Sequence, residues 1–511
     1  MDKKQRIREQ LKQTDFSDPE SIERYAENLE GMTFREVLDL EIVPEGTEDK
    51  SYNSRRYKGG MGNLIEERFF GYRANSDAHA DFDQAGIELK ATCYDLRDEG
   101  KRKSAGERLV LTMIPHSEPI DVEFDSSHLW EKSSKILLVY YERDKQKDSY
   151  DQRIDSVCLF MPPEEDLKII RDDYRKIVEL VRAGRADELS EGLTDYLAAC
   201  TKGANRAKST LPQYYPQIDP VTGEKIYKKA RTRAFSFKRS YMDYVLNHYV
   251  LNKKRNDESI IKGDIGEQTF EQYVQGLINA HVGTSDREFC ERFGLTYKAD
   301  NKSLWRAIVY RLLGMGDSEN AAEFKKAGIS VRTIRYESNG RLKESVDLPT
   351  FEFNELAAED DWDGSQLKDE LESTRYFFIV FKKEADRCVL LGCRFWSMPE
   401  PDIETLAHQC WEQARDTVRR GVKLIPKTDR SGKVTISNDL PSTKDNIAMH
   451  VRPHASLSAY LLEDGRRFGS GSIERNASEL PDGRWMTKQC FWFNASYIKA
   501  QLDIEFDSTK P

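Results

Sequence analysis

The stretch that decides the fold is Asp81–Thr92, which reads DFDQAGIELKAT. Its second half alternates between apolar and charged residues, the pattern of a β-strand with one buried face. In such a strand Glu88 and Lys90 lie on the same face. Ala85-Gly86 provides a turn directly before the strand, so Asp81 can fold back beside Glu88. The stretch therefore predicts two carboxylates and one ammonium group around a small volume.

This arrangement favours a particular chemistry. Two carboxylates suit Mg²⁺, which prefers hard oxygen ligands together with water and phosphate oxygens. A metal ion held there can neutralise charge on a scissile phosphate, and a lysine beside it can orient the attacking water. We therefore predict a Mg²⁺ site at Asp81 and Glu88, with Mn²⁺ as a substitute. The alternative is an ordinary amphipathic strand with a solvated Glu/Lys face.

A distant internal repeat runs through the chain. The same four elements occur twice, in the same order and at similar offsets, which predicts two copies of one fold. The paired segments are Asp81–Thr92 with Glu323–Ile334, Lys132–Lys135 with Glu372–Arg375, Met161–Gly184 with Met398–Gly421, and Phe235–Tyr241 with Phe491–Tyr497.

The copies indicate a mixed α/β (α+β) fold, with two tandem domains that each contain a central mixed sheet flanked by helices. The segments ILLVYY at 136–141 and YFFIVF at 376–381 predict buried strands. Apolar residues at helical spacing predict a helix over Leu167–Leu180. The polar stretch Asn252–Ser259 is typical of a linker. The predicted division is a first domain at 1–252, a linker at 253–262 and a second domain at 263–511.

Composition narrows the class of protein. The chain has 511 residues, of which 38% are hydrophobic and 33% charged, a soluble globular mixture. It contains neither an apolar run of roughly 18 residues nor an apolar secretion signal, so we expect a cytoplasmic protein without a membrane segment. Its eight cysteines form no C-x-x-C pair, which argues against zinc and disulfides and predicts reduced, mostly buried thiols.

The charge distribution points to a polyanion. The net charge is −10, yet residues 221–255 contain ten Lys or Arg against Glu224 and Asp243, a local balance of +8. Polyanion binding requires a local positive surface rather than a positive total. A solvated charged face is the alternative. The basic residues predicted to contact phosphates are Lys228, Lys229, Arg231, Arg233, Lys238 and Arg239.

Several of these motifs together resemble a known family. The pattern Asp81-x₆-Glu88-x-Lys90 resembles the active-site signature of the PD-(D/E)XK nucleases. Lys58–Glu66, KGGMGNLIE, resembles the K-G-x-x-G-x-L-x-E helix of the MutH mismatch-repair nickase and of related GATC-cutting restriction endonucleases. Their G-V-E-L-K stretch is similar to Gly86–Lys90, their segment with a second active-site lysine to Glu131–Leu137, and their F-Y-L-K-[KR]-[SN]-F to Ala234–Tyr241.

The resemblance implies roles for five residues. Asp81, Glu88 and Glu66 would hold the metal ion, Lys90 would position the attacking water, and Lys132 would assist. Periodicity alone leaves Glu67 as suitable a neighbour as Glu66, and an ordinary surface lysine remains an alternative for Lys132.

The second copy is predicted to lack this chemistry. In the repeat, Asp81 becomes Glu323, Glu88 becomes Ser330, Lys90 becomes Arg332 and Lys132 becomes Glu372, while the Glu66 position falls near Val309. One carboxylate beside an arginine is a poor Mg²⁺ site. A retained fold without ligands predicts a binding or regulatory role.

The family reads bases from a loop with the motif R-P-K-A. In the first half the nearest match is Thr201–Arg206, where Lys202, Asn205 and Arg206 are the candidate DNA contacts. Arg452-Pro453-His454-Ala455 in the second half matches better, which makes Arg452 and His454 candidates too. Lys and Arg can donate to guanine and Asn can pair with adenine. GATC specificity is implied by kinship, and a polar surface loop is the alternative.

The sequence as a whole predicts a type II restriction endonuclease that hydrolyses double-stranded DNA, with the second domain binding DNA as an effector. One alternative is a MutH-type nicking enzyme of mismatch repair, and another is a non-catalytic DNA-binding regulator. The expected partners are double-stranded DNA and a second copy of the chain on DNA. A methyltransferase of the same system is implied, but not as a stable subunit.

Overall fold

The computed structural model describes residues 2–44, 52, 60–74, 79–97, 100–144, 146–202, 209–253, 257–298, 301–316, 320–428, 432 and 434–506. The chain forms two compact units. Unit 1 comprises Met1–Asp257 with Ala322–Gly328, and unit 2 comprises Glu258–Ala321 with Ile329–Pro511.

Unit 1 alternates helices and strands along the first half of the chain. Its helices are α1 (Lys3–Gln13), α2 (Pro19–Ala26), α3 (Phe34–Leu38), α4 (Gly60–Arg68), α5 (His128–Ser133), α6 (Glu164–Arg182) and α7 (Arg239–Tyr244), the last continued by a π-turn at Val245–Val250. Its strands are β1 (Glu88–Arg97), β2 (Arg102–Ala105), β3 (Leu109–Met113), β4 (Ile136–Glu142), β5 (Ile154–Phe160), β6 (Leu197–Thr201), β7 (Thr210–Pro212), β8 (Gln217–Ile218), β9 (Lys225–Ile226), β10 (Lys229–Arg231) and β11 (Arg233–Phe237).

Two sheets organise unit 1. The larger one has the order β2-β1-β4-β5, with β1 parallel to β4 and β5 antiparallel to β4. The smaller one has the order β3-β11-β6 and is antiparallel. The first five residues of β4 are buried, because apolar side chains on both of its faces pack against the rest of the unit. The strand predicted at 136–141 and the helix predicted over Leu167–Leu180 are confirmed by β4 and α6.

Unit 2 follows the same plan. The helices of the second half are α8 (Phe270–Asn279), α9 (Asp286–Phe293), α10 (Lys302–Leu312), α11 (Ala322–Ala327, in unit 1), α12 (Phe353–Ala358), α13 (Gln366–Ser373), α14 (Glu400–Asp402), α15 (His408–Arg419), α16 (Ile473–Asn476) and α17 (Ala495–Phe506). The strands are β12 (Ile329–Tyr336), β13 (Val346–Phe351), β14 (Arg375–Glu384), β15 (Arg387–Trp396), β16 (Ile425–Thr428), β17 (Val434–Ser437), β18 (Met449–Pro453), β19 (Ala459–Leu461), β20 (Arg467–Gly469), β21 (Ala477–Glu479), β22 (Trp485–Thr487) and β23 (Gln489–Phe493).

The sheet topology of unit 2 repeats that of unit 1. One sheet has the order β12-β14-β15, with a parallel and then an antiparallel pairing, as in β1-β4-β5. Another has the antiparallel order β13-β23-β18, as in β3-β11-β6. The mixed α/β fold class and its duplication are therefore confirmed.

The register of the strands also agrees with the repeat. Glu88 pairs with Ile136, the first residue of ILLVYY, and Ser330 pairs with Tyr376, the first residue of YFFIVF. A glycine in the left-handed region stands two residues before each of these positions, Gly86 with φ 64° and Gly328 with φ 66°. Side chains rarely adopt this conformation, so glycine is needed to turn the chain into the strand.

The remaining predictions from composition concern cysteines and membranes. All eight cysteines are free and seven are buried, as predicted. Within the described part of the chain, none of the helices combines the length and the apolar composition needed to cross a membrane.

Candidate active site

A tight turn brings Asp81 to the start of β1. The backbone amides of Phe82 and Ile87 each donate to the carbonyl oxygen of the other, over 2.9 and 3.2 Å, around a single 3₁₀ turn at Asp83–Ala85. The carboxylate Oδ2 of Asp81 then accepts a hydrogen bond from the backbone amide of Leu89 at 2.8 Å. Asp81 therefore folds back beside the strand that begins with Glu88, as the sequence predicts.

Glu88 lies at the centre of the site. Its side chain is buried, its Oε1 lies 2.6 Å from the Nζ of Lys90, and its Oε2 lies 3.1 Å from the Nζ of Lys132. Lys90 is on β1, and Lys132 is on α5, which the Ser127 side chain caps. Two elements distant in sequence thus bring two ammonium groups to one carboxylate, and Lys132 is not an ordinary surface lysine.

The buried carboxylates of the site disfavour each other's charged forms. Burial, and then the charge of Glu88, raise the pKa of Asp81 above its usual value. Burial, and then the charge of Asp81, raise the pKa of Glu66 to about 8. The two lysines offset only part of this cost. Perturbed acids gathered in this way are typical of functional sites.

Helix α4 carries both glutamates that the sequence left open. Glu66 is close enough to Asp81, Lys90 and Glu88 for their charges to affect its pKa. Glu67 is also buried, but its Oε2 accepts a hydrogen bond from the Tyr52 hydroxyl at 2.5 Å. The structure therefore brings Glu66 to the site and holds Glu67 on Tyr52. The preceding Lys58 and Gly59 of the predicted motif lie outside the described residues.

Tyr72 is a further residue near the site, and no sequence motif predicted it. Its hydroxyl oxygen is buried and finds no hydrogen-bond partner among the described residues. Burial raises the pKa of Tyr72 well above its ordinary value, and the charges of Glu66, Asp81 and Glu88 raise it further. The hydroxyl is therefore within electrostatic range of the site's carboxylates. No spacing rule signals such a position, because it depends on where the ring packs.

A second group of ligand-type atoms lies on the surface next to the site. It is formed by His79, Asp83 and Glu131, which are all exposed, and the Nδ1 of His79 is 3.0 Å from a carboxylate oxygen of Glu131. Among the described residues this is the one group of three or more such side chains whose ligand atoms lie within 4.8 Å of one another. The predicted ligands Asp81, Glu88 and Glu66 do not approach each other as closely.

Comparison with known proteins places this site in a family. A sequence-family model described as DNA mismatch repair enzyme MutH matches residues 70–173, a range that contains Asp81, Glu88, Lys90 and Lys132. The type II restriction enzyme Sau3AI of Staphylococcus aureus is 33% identical over 478 residues, which cover 88% of this chain and 93% of that enzyme. The chain belongs to the Sau3AI family of type II restriction enzymes. It is a DNA-cleaving hydrolase.

More distant relatives match about half of this restriction enzyme. The DNA mismatch repair proteins MutH of Vibrio campbellii and Escherichia coli are 27% and 26% identical over 237 and 244 residues. Each alignment covers 46% of this chain but at least 95% of the relative. A MutH protein thus corresponds in length to one unit, so the nicking alternative accounts for only part of the chain.

Unit 2 of the restriction enzyme has different chemistry at the equivalent positions. The Nη2 of Arg332, the counterpart of Lys90, donates to the backbone oxygen of Asp347 at 3.3 Å. Glu372, the counterpart of Lys132, lies 3.9 Å from the buried Nζ of Lys368. Glu323, the counterpart of Asp81, is on α11 and belongs to unit 1.

The six basic residues that were predicted to contact phosphates divide into a buried group and an accessible group. The buried group corrects part of that prediction. Arg233 is buried and its Nη1 donates to the carbonyl oxygen of Ala199 at 3.0 Å. Lys238 is buried and donates to the carbonyl oxygen of Thr194. Both stabilise the β11 region instead of facing a ligand. The members that are at least partly exposed are Lys228, Lys229, Arg231 and Arg239.

The predicted base-reading positions are described in part. Lys202 follows β6 and is partly exposed, whereas Asn205 and Arg206 lie outside the described residues. When the pairing of Phe235 with Ala199 is matched to that of Phe491 with Val451, the Lys202 position corresponds to His454. Lys202 and His454 therefore follow equivalent strands at equivalent positions in the two copies.

The corresponding loop of unit 2 forms an exposed cationic platform. The guanidinium carbon of Arg452 lies 3.7 Å from the centre of the Trp492 ring, and the Trp492 Nε1 donates to the Arg452 carbonyl at 3.3 Å. His454 lies beside the same ring, and its Nε2 is 3.5 Å from the Asp347 carboxylate. Arg452 and His454, which were predicted from sequence, are thus brought together with an aromatic ring.

Proposed function

We propose that residues 1–252 hydrolyse a phosphodiester bond in duplex DNA at a GATC site in a Mg²⁺-dependent reaction, and that residues 263–511 bind DNA as an effector without cutting it. The proposal depends on one observation. Glu88 is held between the amines of Lys90 and Lys132, whereas unit 2 has Ser330, Arg332 and Glu372 in the three equivalent places.

The donor set of the site fits a divalent metal ion. Asp81, Glu88 and Glu66 offer carboxylate oxygens, the ligands that Mg²⁺ prefers. The raised pKa values of Asp81 and Glu66 indicate that burial and mutual repulsion disfavour their charged forms, and a bound cation would relieve both. When bound, Mg²⁺ supplies charge neutralisation at the scissile phosphate and lowers the pKa of water.

The two lysines would have separate tasks because they differ in exposure. The Lys90 side chain is 23% exposed and the Lys132 side chain is 11% exposed. Lys90 can therefore reach an entering phosphate and orient the attacking water. Lys132, the more buried of the two, would hold the Glu88 carboxylate in a fixed orientation through its hydrogen bond to Oε2.

Binding of DNA would use both halves of the chain. We assign phosphate contacts to Lys228, Lys229, Arg231 and Arg239 because these residues are accessible. Arg452 and His454 would contact DNA at unit 2, where a guanidinium fork can bind guanine. The GATC specificity follows from the family resemblance of the sequence motifs. Since one centre cuts one strand at a time, duplex cleavage would need sequential nicking or a second copy of the chain.

Plasmid digestion tests the proposal. The full chain with Mg²⁺, and without any ATPase, should convert a supercoiled plasmid of known sequence to fragments whose ends map to GATC, and chelation of the metal should stop the reaction. Nicked circles as the final product would favour the mismatch-repair alternative. Retarded but uncut DNA would favour a non-catalytic regulator.

A further inference from the structure

Tyr72 presents a polar group that the mechanism has not used. Its hydroxyl oxygen is buried, and none of the described residues provides it with a hydrogen-bond partner. A buried polar group without a partner is unfavourable, because its hydrogen bonds to water are lost on folding and not replaced. Phenylalanine would fill the same space without this cost. The hydroxyl therefore points to a partner that it gains in another state of the protein.

Tyr72 packs against segments of the chain that carry acidic groups of the site. The Tyr72 ring packs edge-on against Phe82, with 5.4 Å between ring centres, and is tilted 6.3 Å from Phe70. Phe82 is the residue next to Asp81 and is held by its backbone bridge to Ile87. The Tyr72 backbone amide donates to the Glu66 carbonyl at 3.2 Å. The ring is thus attached to both segments that carry acidic groups of the site.

The neighbours of the hydroxyl are acceptors. Burial has the largest influence on the pKa of Tyr72. The negative charge of Glu66 has the next largest, followed by those of Asp81 and Glu88. The hydroxyl is therefore a donor within electrostatic range of three carboxylates, and it makes a hydrogen bond with none of them. A change in the orientation of a carboxylate could supply the missing acceptor, since the end of a glutamate side chain turns easily.

We propose that Tyr72 is a positioning residue, whose hydroxyl donates a hydrogen bond to the Glu66 carboxylate when that carboxylate turns to hold the metal ion. This proposal rests on the function proposed above. The bond fixes the direction of the carboxylate and satisfies the hydroxyl in the same step. Groups that orient a metal ligand in this way typically account for about ten- to hundredfold in metal affinity or activity.

Tyr72→Phe tests the proposal, with Tyr140→Phe as its matched control. Tyr140 on β4 also has a buried hydroxyl that lacks a partner within the described part of the chain, but it is not one of the site's residues. Both variants should have the same or a higher thermal midpoint than the wild type without metal. Only Tyr72→Phe should weaken Mn²⁺ binding in calorimetry and slow single-turnover cleavage, by about tenfold or more.

A double variant measures the energetic coupling between Tyr72 and Glu66. In a Glu66→Gln background, Tyr72→Phe should change Mn²⁺ affinity by about twofold or less, because its partner is already altered. Wild-type Mn²⁺ affinity in Tyr72→Phe, a lower thermal midpoint without metal, or full additivity with Glu66→Gln would each overturn the proposal. If Asp81→Ala also cuts normally, the proposed active site itself is wrong. If Asp81→Ala is inactive, only the role of Tyr72 fails.

Discussion

The two units pair their equivalent strands in the same register, but the residues at the start of that pairing differ in chemistry. In unit 1, Glu88 contacts two lysines beside two further acids with raised pKa values. In unit 2 the Glu88 position is Ser330, which pairs in the same way with the next strand. The fold therefore does not need the acids. Because buried acids are costly, the presence of these acids in unit 1 supports the proposal that the chemistry takes place there.

The largest expected effect comes from Glu88. Glu88→Gln removes the charge of a proposed metal ligand and replaces one of the two oxygens that accept from Lys90 and Lys132 with an NH2 group, so cleavage should fall by about a thousandfold or more. Ser330→Ala, at the equivalent place in unit 2, should cut at the wild-type rate. Single-turnover cleavage of a labelled duplex measures both variants, and an equal loss in both would end the distinction between the units.

A smaller effect is expected at the next pair of equivalent positions. Lys132→Ala should slow cleavage by about a hundredfold, because Glu88 loses the group that holds its Oε2. Glu372→Ala should leave the rate of chemistry unchanged. The same single-turnover assay applies, and a wild-type rate in Lys132→Ala would show that the contact is structural only.

The pH dependence sharpens the comparison further. The pKa of Glu66 is about 8 in the folded protein against an ordinary 4.5, so folding favours its protonated form. This group should make the metal-free protein progressively less stable as pH rises from about 4.5 to 8. Above pH 8 it should cause no further loss of stability. Glu66→Gln should abolish this contribution. Thermal melts at pH 5 and pH 9 measure it, and an unchanged difference between the two would refute the assignment.

Metal affinity should change in the opposite direction, because the cation requires a charged Glu66. Mn²⁺ binding to the wild type should become tighter as pH rises towards 8 and should release a proton. Calorimetry in buffers of different ionisation enthalpy detects that proton. Binding without proton release at pH 7 would show that Glu66 is already charged.

The smallest effect concerns DNA binding by unit 2. Arg452→Ala removes the guanidinium that lies over Trp492 and should weaken binding of the full chain to a GATC duplex by about tenfold, with the chemical rate unchanged. Lys383→Ala, at the partly exposed end of β14, is a control for loss of one positive charge. Equal losses in the two variants would mean that Arg452 contributes only its charge.

Much of the fold could be predicted from sequence because its signals are local or repeated. The strand at 136–141 and the helix over 167–180 have the right periodicity, and the repeat alone pairs Glu88 with Ser330, in agreement with the strand register. The turn at Gly86 was also predictable, because few other residues adopt its conformation.

What the sequence could not settle depends on tertiary packing. Glu66 and Glu67 are adjacent and both buried, and only the position of Tyr52 separates their roles. Arg233 and Lys238 belong to a basic run, yet they are buried against carbonyl oxygens that are distant in sequence. The Tyr72 hydroxyl is notable because it is buried without a hydrogen-bond partner among the described residues. No sequence motif encodes such a position.

The central claim is that cleavage depends on the acids of unit 1. It is tested most directly by single-turnover cleavage of a GATC duplex by Asp81→Asn, after Ca²⁺-supported binding has shown that the variant still holds DNA. We expect normal binding with cleavage reduced by about a thousandfold or more. Wild-type cleavage by this variant would contradict it.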